Sequence, residues 1–109
     1  MPDTIKILGQ QAPNATTETD LYTVPASTSS VISSLVVCNR GTAAGTFRIS
    51  TSAAGAATTN KDYVYYDLPI GANDTFVATM GISLATTDKI RVYASTANMS
   101  FTAYGVEIT

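Results

Sequence analysis

The chain has no histidine, no tryptophan, one cysteine, and only six basic residues among 109. Each shortage removes a class of chemistry. Without an imidazole there is no Ser-His-Asp or Cys-His relay, because nothing is placed to activate the nucleophile. One cysteine with no histidine also excludes an internal disulfide and a zinc site built from the usual nitrogen and sulfur ligands. Lys6, Arg40, Arg48, Lys61, Lys89 and Arg91 are scattered, so the counterion release that drives nucleic-acid binding has little to act on. Gly41, Gly45, Gly55 and Gly71 match no phosphate-binding or dinucleotide spacing. Polar residues interrupt every apolar run well short of the roughly 18 positions that a spanning helix needs. The opening MPDTIKILGQ lacks the basic-then-apolar layout of a signal peptide. The expectation is therefore no catalytic group, no cofactor, no metal, no nucleic acid and no membrane, with synthesis in a reducing cytoplasm.

What is present is Ala, Ser and Thr in quantity, with charged residues at 13% and a net charge of −2. Ordinary domains carry about 25% charged residues, so a neutral, hydroxyl-rich surface is expected. The length suits one domain with one core. Short β-favouring runs recur with turn chemistry between them, the pattern of an all-β sandwich of seven to eight strands, jelly-roll or Ig-like, with two antiparallel sheets. Residues 1–19 read as an N-terminal arm and residues 20–109 as the sandwich, because GQQAPNATTETD is polar and contains a proline. SSVISSLVVCN is apolar on both faces around Val36 and Val37, which predicts a central strand covered on two sides, with Cys38 a small buried thiol. CNRGTAAGTFRIS reads as a hairpin. TSAAGAATTNKD reads as an exposed, mobile loop.

Alternation predicts a shared core of Phe47, Ile49, Phe76, Ala78, Ile90, Val92, Met99 and Phe101, with Met80 on the side of Phe76 and Ala78. In NMSFTAYGVEI the apolar parity moves from Met99, Phe101 and Ala103 to Val106 and Ile108, which predicts a β-bulge at Gly105. Asp62, Asp67, Asp74 and Asp88 fall at strand ends and turns. Paired carboxylates serve glycoside hydrolysis or calcium binding, but these four lack diagnostic spacing, and turn aspartates ordinarily bond their own backbone. Arg40, just after the central strand, is placed to pair with an acid at the loop end.

Candidate contact residues come from two places. Ile5, Ile7 and Leu8 precede the polar linker and are expected to bury against a neighbouring subunit or the sheet edge. In DYVYYDL, alternation puts Tyr63 and Tyr65 on one face and Val64 with Tyr66 on the other, so one pair lines a surface. That pair serves as a subunit or partner contact, a sugar platform, or a cap on the sandwich.

The segments LGQQAPNATTETDLYTVPASTSSVISSLVVCNRGTAAGTFRIS, YVYYDLPIGANDTF, GISLATTDKIRVYAS and MSFTAYGVEI resemble a group of small proteins encoded among the virion genes of tailed bacteriophages. The resemblance covers nearly the whole chain, and none of its motifs is catalytic. It implies a virion structural role: a capsid decoration or cement protein bridging shell subunits, or alternatively a tail, neck or fibre component. A carbohydrate-binding module is a third alternative. The implied partners are the major capsid protein or other virion proteins and further copies of the chain, as a homotrimer. The implied location is the virion, after synthesis in the host bacterial cytoplasm.

Overall fold

The computed structural model describes residues 3–79 and 81–109; Met80, expected beside Phe76 and Ala78, lies outside them. Nine strands are present among the described residues: β1 (Asp3–Gln11), β2 (Thr19–Thr23), β3 (Ser29–Asn39), β4 (Gly45–Ser52), β5 (Tyr63–Ile70), β6 (Thr75–Ala78), β7 (Ile82–Leu84), β8 (Lys89–Ala94) and β9 (Met99–Ile108). They form two antiparallel sheets. One has the order β1-β9-β3-β6, with β7 also on β3, and the other the order β2-β8-β4-β5. The count exceeds the expected seven to eight because β6 and β7 share the duty of one strand. β6 pairs with Leu35–Cys38 and β7 with Ser30–Ile32, and Ser33, bulged out of β3, lies between them. With those two taken as one, successive strands cross between the sheets at every step except β4 to β5. That order is the jelly roll.

This topology corrects the reading of CNRGTAAGTFRIS. β3 and β4 belong to opposite sheets, so the segment is an arch from one layer to the other and not a hairpin. Turn residues encode a reversal, but they do not encode whether the two arms hydrogen-bond to each other. The arch is held by Asn39, whose side chain is buried. Its Nδ2 donates to the carbonyls of Ala43 (3.0 Å) and Gly71 (3.1 Å), and its Oδ1 accepts from the Gly41 amide at 2.9 Å.

Between the sheets lies one apolar core. All eight expected residues contribute, seven fully and Phe76 at its partly exposed rim. Phe47 sits at the centre, 5.4 Å from Phe76 and 6.1 Å from Phe101 between ring centroids. Burying each such side chain is worth roughly 1.5–3 kcal/mol, so these rings dominate the adhesion of the two layers.

β9 departs from expectation. Met99, Phe101, Ala103 and Gly105 are all buried, so its inward parity never changes. The irregularities lie in its neighbours: Leu8 is the extra residue in β1 and Ser33 the extra residue in β3. Glycine is still required at 105, because a Cβ there would stand 2.1 Å from the Val31 carbonyl oxygen and 2.9 Å from the Ile32 Cα. The apparent phase shift in the sequence arises because Val106 and Ile108 are apolar although they belong to the outer face.

β3 is central within its sheet but is not covered on both faces. Val31, Val36 and Cys38 alternate with the buried Ile32, Leu35 and Val37 and are only half-buried. The Cys38 thiol is therefore half-buried, not enclosed. Within the expected arm, residues 3–11 lie along β9 as an edge strand.

Candidate interaction surface

The outer face of the first sheet can be read row by row from the strand register. Ile5, Val106, Val31 and Ser83 form one row; Ile7, Tyr104 and Ser34 stand in the next; Gln10, Thr102, Val36 and Val77 follow. Ile5 is 86% exposed, Val77 54%, Ile7 50% and Tyr104 40%. Ile5, Val31, Ser33, Gly105 and Val106 line a shallow groove of about 230 Å³, whose floor is the side-chain-free backbone at Gly105. These rows carry no charged side chain among the described residues. Clusters of exposed apolar side chains on a sheet face are candidates for an interaction site.

The β1 bulge explains how neighbouring isoleucine and leucine separate. Ile5 and Ile7 point outward, while the unpaired Leu8 turns into the core, where it is 9% exposed. Of the three expected contact residues of the arm, one is thus spent on the core and two lie on the surface. β1 is also tied down by the Lys6–Glu107 ion pair at 3.0 Å. Glu107 accepts from the Tyr22 hydroxyl at 2.6 Å, and the Tyr22 and Ser30 hydroxyls are 2.6 Å apart. Burial, then the neighbouring carboxylate, pushes the Tyr22 phenol up to about 12. The bond from Tyr22, then that from Lys6, holds Glu107 below the usual glutamate range.

The outer face of the second sheet is built differently. Asp20 joins Lys89 (2.8 Å) and Arg91 (3.0 Å), and the Lys89 bond foremost holds its carboxyl below the ordinary aspartate range. Arg91 also donates to Ser52, Thr58 and the carbonyls of Gly55 and Ala56. The loop expected to be mobile is therefore gathered over one guanidinium. Arg48 pairs with Asp67 at 2.7 Å and lies between two rings, 4.3 Å from the Tyr66 centroid and 4.4 Å from that of Tyr93. The Asp67 bond raises the Arg48 pKa further above its already high value.

Tyr63 and Tyr65 divide between these roles. Tyr65 packs its ring on Phe76 (5.3 Å) and Phe47 (6.2 Å) at the core rim. Tyr63 is half-buried, and Tyr66, at 58%, is the exposed tyrosine of the strand. Burial alternates as expected from Tyr63 to Tyr66 and breaks after it, where β5 is irregular: Asp67 adopts φ +50, and the pairing with β4 shifts register on both sides of Ile49. That left-handed conformation costs about 1 kcal/mol and is tolerated best by Asn and Asp among residues with a Cβ. The other acids behave as turn residues: Asp62, Asp74 and Asp88 each accept from nearby backbone amides. Arg40 bonds Ser100 and the Ala97 carbonyl rather than an acid.

Among the described residues no group of three or more His, Cys, Asp or Glu is placed to hold a metal. No helix among them is long and apolar enough to cross a membrane. The apolar rows of β3, β6 and β9 were missed in the sequence, although the excess of valine in SSVISSLVVCN was their signal.

No protein-family model and no curated protein matches the chain. Among solved structures it is similar to a chain in the structure of infectious bursal disease virus, Gx strain, with a TM-score of 0.53 and 14% sequence identity. The match covers 97% of this chain and 31% of that one, so the protein spans about a third of the length of its structural neighbour. At that identity the likeness establishes a shared β-sandwich fold.

Proposed function

We propose that this protein is a non-enzymatic structural component of a virus particle, acting as a capsid decoration or cement protein of a tailed bacteriophage. The single observation that carries the reading is the set of uncharged, largely apolar rows on the outer face of the first sheet, from Ile5, Val106 and Val31 to Thr102, Val36 and Val77, with Asp3 in the row beyond Ile5. A jelly roll is an architecture that capsid domains use, and the likeness to a chain of a virus structure supports the same class. Ile5, Ile7, Tyr104 and Val77 rest on the major capsid protein, and copies of the chain associate as a homotrimer above the shell. Apolar area removed from water contributes about 25 cal/mol per Å². Binding only to the assembled shell raises its stability by mass action, and linked subunits multiply a modest affinity. Attachment of this kind survives moderate salt, because ion pairs contribute little to it.

The test compares complete particles with particles prepared without this protein. Loss of resistance to heat in the deficient particles, restored by adding the purified protein, is the expected result. Unchanged heat resistance together with defective tail assembly or host adsorption would overturn the cement reading and favour a tail, neck or fibre part.

A further inference from the structure

A second surface, on the opposite sheet, has the build of a ligand site. Asn60, Tyr63 and Tyr66 line a groove of about 260 Å³. The two rings stand at 79° with centroids 4.8 Å apart, so they form a corner with the amide of Asn60 beside it. The corner is fixed from several directions. Tyr66 lies against the Arg48 guanidinium, itself held by Asp67 and by the Tyr93 ring. Asn60 opens a short 3-10 turn closed by a reciprocal cap, in which the Asp62 carboxylate accepts from the Thr59 amide at 2.9 Å. The left-handed Asp67 directly follows Tyr66, at the irregularity that breaks the simple alternation of β5. Strained residues held by their surroundings gather at functional sites.

The chemistry of the corner selects its ligand. Phenol rings present flat apolar faces with a hydroxyl at the tip, and an amide both donates and accepts. A pyranose offers the matching pair, an apolar C–H face and a rim of hydroxyls. The groove is smaller than the roughly 300–1,000 Å³ of pockets that enclose drug-sized ligands, so it admits one or two rings of a longer chain. Arg48 is already neutralised by Asp67 and screened by two rings, and Lys61, next to Asn60 in the turn, is paired with Asp62 at 2.9 Å, so both of these cations are already matched by a carboxylate and a neutral ligand is favoured over a carboxylate or sulfate. We infer that the Tyr63–Tyr66–Asn60 corner is a binding site for a neutral glycan, engaging one or two pyranose rings of an oligosaccharide by stacking on Tyr66. The site lies on the sheet opposite the proposed shell contact, so an attached copy still presents it to solvent.

The experiment applies the full chain to immobilised neutral hexose and N-acetylhexosamine oligosaccharides, with sialylated and uronic-acid oligosaccharides as charged comparators. Binding to at least one neutral class is expected, with a Tyr66→Ala variant weakened about tenfold. Asn60→Ala should weaken binding severalfold, and Tyr104→Ala, on the other sheet, should leave it unchanged. Thermal unfolding of each variant shows whether the fold persists, and Tyr66→Phe keeps the ring and should retain most of the binding. Absence of binding to every neutral oligosaccharide, a preference for the charged ones, or full binding by a folded Tyr66→Ala variant would each overturn the inference. None of these outcomes bears on heat resistance of particles, so this inference and the shell-binding proposal fail separately.

Discussion

The two sheets share one core yet turn opposite kinds of surface outward. The first presents Ile5, Ile7, Tyr104 and Val77 with no charge among the described residues of those rows. The second carries Asp20, Arg48, Asp67, Lys89 and Arg91, every one of them paired. Inner faces are dictated by burial and look alike; outer faces are free to differ, and there the division of labour lies. A charged face whose charges satisfy one another stays in solvent without a partner. An apolar face stays there at a continuing cost, which association removes.

The strongest challenge to this comparison removes what the two faces have in common. Phe101→Ala leaves a cavity beside Phe47 at the centre of the sandwich and should cost about 3–5 kcal/mol in denaturant unfolding. A variant as stable as the parent would mean that the sheets do not depend on that contact. Gly105→Ala acts within the first sheet only: its new methyl would meet the β3 backbone, and a loss of up to about 3 kcal/mol is expected. Calorimetry showing no change would refute the close approach of β9 to β3.

Two smaller effects separate the faces directly. Tyr93→Ala removes one of the rings around Arg48 and should lower stability by about 0.5–1 kcal/mol. A null result would mean that the stacked guanidinium contributes nothing to the second sheet. Val77→Lys, on the apolar face, should change the stability of the isolated protein by less than about 0.5 kcal/mol while abolishing its retention on particles in sedimentation. Retention of the variant would remove the first sheet from the attachment surface.

Much of the fold was legible in the sequence because alternation records burial, and the core from Phe47 to Phe101 was read from it correctly. Pairing was less legible. Whether β3 and β4 join or oppose each other depends on distant β8 and β9, and local turn residues carry no trace of that choice. The exposed apolar rows were half-visible. Ile5 and Ile7 were found as apolar residues in a polar context, but Leu8 went to the core through a bulge that parity alone does not reveal. In β5, alternation put Tyr65 and Tyr66 on opposite faces, as the structure has them, but a Tyr-rich run offers no compositional contrast by which to tell which face lies inside.

The pairing of β1 with β9 brings Asp3 opposite Ile108, joining the first and last of the described strands. Seven strands therefore lie in sequence between β1 and the hydrogen-bonding neighbour it has among the described residues. Its isoleucines take their places beside Val106 and Tyr104 only when that loop closes. Closing so long a loop delays the reward of contact, and topologies of this kind fold over milliseconds to seconds. Completion of the apolar face is thus tied to the longest-range pairing in the sandwich and not to any local hairpin.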